Sequence, residues 1–297
     1  MILGFDFGND NIKTSEKFLV KSLFTQAEGL FKSKHEIILK DEKYIIGEGN
    51  YDTTLDKSKK EHLLPALCVA LANSTDEDII DLVVGLPMSQ YKNHKDEYEE
   101  TIRKNSKLSF IYNDIPKEYT IRKVTTYPEG LGAYASLNKE KRNIFKNNKM
   151  IILDIGGRTT DIALLSADKS RTIEKYKSLD LGMINIYSDI VKELNEKYTI
   201  DLKLEDAERV MKNGLFIAGE KQDISCVKVA LKRTLDLVIQ ELNVNFSAKI
   251  YPVLLTGGGG KKFFPTLKKR YGHVTLSDNF LFANANGFKE YGKKVFK

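Results

Sequence analysis

The chemistry of this chain is concentrated in short stretches that follow apolar runs. After Met150-Ile151-Ile152-Leu153 come Asp154, Ile155, Gly156, Gly157, Arg158, Thr159, Thr160 and Asp161. An apolar run that ends in Asp-x-Gly-Gly reads as a buried strand entering a tight turn. Glycines let backbone N–H groups approach an anion, and the threonine hydroxyls add donors. The carboxylates suit a hydrated divalent cation. These are the parts of a metal–phosphate site; the plain alternative is a strand-turn-strand with two surface acids.

The N-terminus repeats the plan in Ile2-Leu3-Gly4-Phe5-Asp6-Phe7-Gly8-Asn9-Asp10-Asn11-Ile12-Lys13. Asp6 aligns with Asp154, Gly8 with Gly156, Asn11 with Thr159 and Ile12 with Thr160. The copies lie half a chain apart, which points to two duplicated domains, each offering a glycine turn to one polyphosphate from opposite sides. A third turn, Thr256-Gly257-Gly258-Gly259-Gly260, follows the apolar run Val253-Leu254-Leu255. Its place directly after a strand favours close approach to something flat or charged over a loose loop. Neither the P-loop nor the Gly-x-Gly-x-x-Gly pattern occurs at these turns.

A chain of 297 residues has room for two domains, and its 41% hydrophobic and 30% charged content suits a globular protein. No apolar run reaches the ~18 residues of a membrane span, and no leader precedes the first strand. Cys68 and Cys226 are too far apart to suggest zinc or a disulfide framework, so a reducing, cytoplasmic setting is expected. The net charge of +6 is spread through alternating lysines and acids. Solvated faces account for it, and direct nucleic-acid binding is not expected.

The elements that must position the motifs follow from periodicity and punctuation. Strands are expected at 2–7, 18–23, 36–39 and 44–46 as a meander, then at 79–87, 110–111, 119–124, 162–165, 172–176, 253–255 and 273–276. Helices are expected at 59–72, with Pro65 as a kink or a start, and at 92–105 as an exposed charged helix. Others are expected at 130–137, with Pro128 in its first turn, at 184–198, 204–211, 227–246 and 264–270, and from 283.

Asp6-x-Gly8, Asp154-x-Gly156-Gly157 and Thr256-Gly257-Gly258-Gly259 resemble, in order and spacing, the two phosphate motifs and the adenosine motif of the actin, heat-shock-chaperone and sugar-kinase superfamily. Within it the chain looks most like ParM-type bacterial actins. Val83-Val84-Gly85-Leu86-Pro87 is similar to a strand end of that branch, Pro128-Glu129-Gly130 to its first connecting helix, and Asn284-Ala285-Asn286-Gly287 to its second. The resemblance implies an α/β actin-like ATPase fold, two duplicated ribonuclease-H-like domains around a nucleotide cleft. One domain would comprise residues 1–147 plus 281–297, the other 148–280.

The resemblance also implies roles. Asp6 and Asp154 would hold Mg²⁺. Gly8, Asn9, Asn11, Lys13, Gly156, Gly157, Arg158 and Thr159 would surround the phosphates. Gly182, Glu205, Arg209, Gly257, Gly258 and Gly259 would contact the nucleoside. Glu129, Asp154 and Asp161 would serve catalysis, Glu129 by orienting the attacking water. Asn9 stands where many relatives have a phosphate-contacting Ser or Thr. Glu205 and Arg209 match the helix flanking the base in chaperone relatives, but Glu208 replaces a usual Lys, so ATP and GTP both stay open as substrates. The implied activity is nucleotide hydrolysis coupled to head-to-tail filament assembly. The implied partners are further copies of the chain and a DNA-binding adaptor on a centromere-like plasmid site, with no membrane. The alternatives are a sugar-type kinase of the same fold and a cell-shape or division actin.

Overall fold

The computed structural model describes residues 1–26, 32–52, 54, 56–169 and 171–297. The chain opens with β1 (Ile2–Phe7), β2 (Asn11–Thr14) and β3 (Leu19–Lys21), an antiparallel meander. It continues through β4 (Leu23–Thr25), β5 (Glu36–Leu39), β6 (Glu42–Ile46) and β7 (Asn50–Tyr51) to α1 (Leu63–Ala72). Then come β8 (Ile79–Leu86), α2 (Met88–Lys104), β9 (Lys107–Tyr112), β10 (Ile115–Pro128), α3 (Leu131–Ala135) and α4 (Lys139–Ile144).

The second half begins with the hairpin β11 (Met150–Ile155) and β12 (Thr160–Leu165), followed by β13 (Ile173–Leu179), α5 (Met183–Tyr198) and α6 (Asp206–Asn213). A small hairpin, β14 (Phe216–Ile217) with β15 (Glu220–Lys221), precedes α7 (Cys226–Asn245). The chain ends with β16 (Val253–Thr256), α8 (Gly260–Tyr271), β17 (Val274–Leu276) and α9 (Ala283–Val295).

Two sheets carry the duplication. The central run of the larger is β3-β2-β1-β8-β10, and the smaller is β13-β12-β11-β16-β17. In both, three antiparallel strands are followed by two parallel ones. The register repeats too. Asp6 lies opposite Lys13 across β1 and β2, and Asp154 lies opposite Asp161 across β11 and β12. Each lobe has its own apolar core, one around Phe5, Leu67 and Val84, the other around Leu153, Ile190 and Leu242. The central strands of both lobes are buried on both faces, which is why they read as continuous apolar runs.

α3 and α9 cross where the lobes join, and α9 packs on β1 and β8. The crossing is as tight as two backbones allow. A Cβ on Gly287 would stand 1.7 Å from the Gly132 carbonyl oxygen, and one on Gly4 would stand 2.0 Å from that of Ala285. Only glycine fits there, because the neighbour is backbone and cannot give way.

Several expected elements differ in detail. The strand expected at 18–23 is two, broken at Ser22, whose N–H bonds to the Asp10 carbonyl. Pro128 ends β10, opposite Leu86, instead of opening the next helix. The turn into α3 falls at Gly130 with φ +77. α1 starts at Leu63, so Pro65 occupies its first turn, where a missing N–H costs no helical bond. α2 is charged but not merely exposed: Tyr98, Glu99 and Ile102 are buried, and Glu99 accepts the Thr126 N–H. α8 begins inside the glycine run, at Gly260.

The crossing sets a stability test. Gly287→Ala should cost about 3 kcal/mol through overpacking against backbone, read as a lower urea midpoint. Gly258→Ala, with nothing within 4 Å of its added Cβ and an ordinary φ, should stay within about 0.5 kcal/mol of the parent. Equal midpoints for the two variants would contradict the packing described.

Candidate active site

The two hairpin turns meet. A Cβ on Gly157 would stand 2.5 Å from the Asp10 Cβ and 2.7 Å from its backbone nitrogen. The second turn is clamped from behind by the first turn of α5, where Met183 and Ile184 donate to the carbonyls of Gly156 and Gly157 at 3.1 and 2.7 Å. Gly182 caps that helix and presses on Gly157. The third turn leans on the second, with Gly259 donating to the Ile155 carbonyl at 2.9 Å. Gly257 takes φ +84, and a Cβ there would stand 2.3 Å from Asp154 Oδ1. Glycine therefore lets the Asp154 carboxylate lie against the turn.

Between the turns is a cleft lined by Asp6, Gly8, Asn9, Asn11, Lys13, Glu129, Asp154, Gly156, Gly157, Thr159, Asp161, Gly257 and Gly258, all read from the sequence. Five expected residues are not among its lining. Arg158 pairs with Asp180 at 3.4 Å, and Gly182 sits behind the phosphate turn. Gly259 packs between Ile155 and Met183. Glu205 and Arg209 are exposed, and Arg209 is held by Asp206 at 2.9 Å. On the same helix Glu208 spans the lobes instead, accepting from Lys21 of β3 at 2.6 Å, while Lys21 also reaches Asp10 at 3.0 Å.

Residues not anticipated from the sequence also line it, among them Asp10, Lys57 and Asn284. Asp56 caps a short 3₁₀ turn, Lys57–Lys59, that directs the Lys57 side chain inward to an ion pair with Glu129. In the sequence Lys57 is one of three lysines within four residues and carries no signal. Asp10 accepts from Asn11, Lys21 and the Tyr51 hydroxyl.

Charge dominates the cleft. Five carboxylates (Asp6, Asp10, Glu129, Asp154 and Asp161) face two lysines, Lys13 and Lys57. Lys13 sits 2.7 Å from Asp6; burial pulls its ammonium down, but Asp6, Asp154 and Glu129 outweigh that and hold it above its ordinary value. The other acids lack full compensation. Burial, with the neighbouring carboxylates adding to it, pushes Glu129 up to about 7 and Asp154 and Asp161 up to about 6. Hydrogen bonds oppose part of the shift, from Asn284 to Asp154 and from Thr159 and Ser178 to Asp161. Buried carboxylates held together in this way need a cation to ionise fully. The all-oxygen donor set fits a hard divalent ion such as Mg²⁺. Asn9 Oδ1, buried without a partner, adds an unused acceptor at the first turn.

Comparison with known proteins agrees with this geometry. Residues 4–132 match the family described as actin-like proteins, N-terminal domain, and residues 152–269 match the C-terminal domain of the archaeal actin homologue MreB-like family. Among solved structures, a non-polymerisable quadruple mutant of pCBH ParM superimposes with a TM-score of 0.82 at 22% identity, over 99% of both chains. A 15-stranded ParM filament from Clostridium botulinum gives 0.80 at 22% identity, again over 99% of both. The archaeal actin homologue Ta0583 in complex with ADP gives 0.84 at 16% identity and the same coverage. No curated protein matches the chain in sequence. The fold expected from the motifs, an actin-like ATPase fold of two α/β lobes, is the fold observed.

The acid cluster has a measurable consequence in nucleotide-free protein. Asp161 titrates near 6 folded and near 3.8 when unfolded. The folded state therefore holds its proton to higher pH. The associated stability is complete below the unfolded value and is lost as pH rises through the folded one. At pH 8 this ionisation costs about 3 kcal/mol. Asp161→Asn should therefore raise the melting temperature relative to the parent as pH goes from 4.5 to 8. A difference that does not change with pH would contradict the assignment.

Proposed function

Because this chain is an actin-like protein, matched to actin families in both halves, we propose that it hydrolyses a nucleoside triphosphate with Mg²⁺ and couples hydrolysis to head-to-tail self-assembly. The observation that carries this reading is the meeting of two Asp-anchored glycine turns, one from each lobe, in a cleft with three more carboxylates than lysines. A net negative cleft repels a polyphosphate unless a divalent cation comes with it. A nucleotide that brings a cation would therefore be favoured over a metal-free one.

Asp6 and Asp154 would hold the metal, with Asp161 beside them. A divalent cation held by these carboxylates would supply positive charge against the polyphosphate. The backbone around Gly8, Asn9, Gly156 and Gly157 would donate to the phosphates, as successive N–H groups in tight turns do for anions. Lys13 holds Asp6 in place and adds a compact positive charge. Gly257 and Gly258 offer a flat passage for the nucleoside. Glu129, with its proton affinity raised to about 7, is suited to take a proton from the attacking water, and Lys57 fixes its carboxylate.

The lobes meet through the turns, through Lys21–Glu208 and Asn284–Asp154, and through an apolar cluster that includes Met88, Leu137, Ile152 and Leu254, so a ligand gripped from both sides would bias their relative angle. Loss of the γ-phosphate removes part of that grip. An angle that changes with the nucleotide makes a head-to-tail contact conditional on it, and such a contact repeats into an open filament. We take the cellular role to be plasmid segregation through a DNA-binding adaptor. The support is the motif resemblance to ParM-type actins and the full-length likeness of the fold to ParM structures.

Purified protein with Mg-ATP or Mg-GTP should show a transient rise in light scattering that tracks phosphate release. Turnover that depends on an added sugar, with flat scattering, would replace this reading with a kinase. Glu129→Gln should slow phosphate release by about 10²–10⁴-fold while nucleotide binding persists. Asp154→Ala should weaken nucleotide binding in Mg²⁺ but not in EDTA, and equal loss in both would remove Asp154 from the metal.

A further inference from the structure

Asn284 lies in the first turn of α9, at the helix crossing, and is buried. Its side chain makes three bonds to two other elements. Gly130 N–H and Ala133 N–H, at the start of α3, donate to Oδ1 at 2.9 and 3.2 Å. Nδ2 donates to Asp154 Oδ2 at 2.9 Å. The amide has one satisfiable orientation. Reversed, it would set an NH₂ group against two donors and a carbonyl against a carboxylate. Groups at the start of a helix have no partner within it, so these two bonds also cap α3.

The connections matter because of what lies next to each. Gly130 follows Glu129 in the chain, and its N–H is the atom held. Asp154 ends β11, in the other lobe. With Oδ2 taken by Asn284, Oδ1 is the oxygen that lies against Gly257 in the cleft. One carboxamide therefore fixes both the peptide that carries Glu129 and the oxygen that Asp154 presents. The helix bearing it has no slack, since Gly287, one turn further along, touches the Gly132 backbone of α3. A rotation of one lobe on the other would carry α9 and α3 together and bear on Asp154 through this bond, beside the apolar packing that joins Met88 and Leu137 to Ile152 and Leu254.

Resting on the hydrolase reading of the cleft, we infer that Asn284 is a positioning residue that couples the lobe angle to the orientation of Asp154 and to the placement of Glu129. Its amide oxygen and nitrogen are taken up by Gly130, Ala133 and Asp154. It acts through Glu129 and Asp154, as partners of metal-holding side chains do elsewhere.

Asn284→Asp separates the two halves of the contact. The carboxylate still accepts from Gly130 and Ala133 but faces Asp154 with like charge. Unfolding of nucleotide-free protein at pH 8 reads the contact itself. Asn284→Asp should lower the melting temperature, and Asp154→Asn combined with it should recover most of the loss by restoring one donor and one acceptor with reversed polarity. Hydrolysis reads the role. Asn284→Asp should lower kcat and raise the Mg²⁺ midpoint by about 10- to 100-fold, while the KM for nucleotide changes little.

Additive effects on unfolding would overturn the contact. Non-additive unfolding together with unchanged kcat and Mg²⁺ midpoint would reduce Asn284 to a structural staple and overturn the role. Failure of the parent protein to turn over any nucleotide overturns the hydrolase reading and this role with it. The unfolding cycle still separates that result from a missing contact.

Discussion

The rest of the structure answers to one constraint, the crowding of carboxylates where two hairpin turns touch. Asp6, Asp154 and Asp161 are held in one cleft by strands buried on both faces, and Glu129 by the turn that follows β10. Burial, with the neighbouring carboxylates, raises the proton affinity of Glu129, Asp154 and Asp161 and opposes folding at neutral pH. The fold tolerates them because each lobe has a separate apolar core that does not depend on the cleft. The neighbours are chosen to match. Lys13 meets Asp6, Lys57 meets Glu129 and Asn284 meets Asp154, each from a different element. What is left uncompensated is a demand for an external cation.

Duplication explains how the site arose and why it is not symmetric. The same hairpin is used twice, with the same register and the same following parallel strand. The position opposite the anchoring Asp differs. In the first copy it is Lys13, which closes an ion pair within the hairpin; in the second it is Asp161, which opens a deficit. One lobe therefore arrives nearly neutral and the other negative. A ligand that brings positive charge to the second and phosphate oxygens to the first completes both at once, and this ties occupancy to the lobes' relative position.

Glycine has a specific place in this arrangement. At the crossing of α3 and α9, and where Gly157 meets Asp10, the contact is with backbone, so any Cβ displaces a main chain. These contacts transmit motion because they cannot be compressed. The run at residues 257–260 is different, since Gly257 makes room for a carboxylate while Gly258 faces open space.

Local chemistry was readable without the fold. The apolar runs ending in Asp-x-Gly marked β1 and β11 to the residue at their cleft ends, and the half-chain repeat implied facing lobes. Helices with a clear period, such as α5 and α7, fell within one or two residues of expectation. Where two local rules conflicted, tertiary context decided. Pro128 could have opened a helix, but pairing with β8 carries the strand through it. The charge of α2 hid a buried stripe because Glu99 satisfies a backbone N–H inside the lobe.

The sequence by itself determined which residues gather at each turn, because Asp, Gly and Thr at fixed short spacing are a property of one hairpin. Only the tertiary structure decided which distant groups answer them. Lys57 and Asn284 enter the cleft 72 and 130 positions along the chain from Glu129 and Asp154, the carboxylates they meet. No local pattern encodes such a meeting. It is set by how two buried sheets and two crossing helices pack, and the electrostatics of the site follow from that packing.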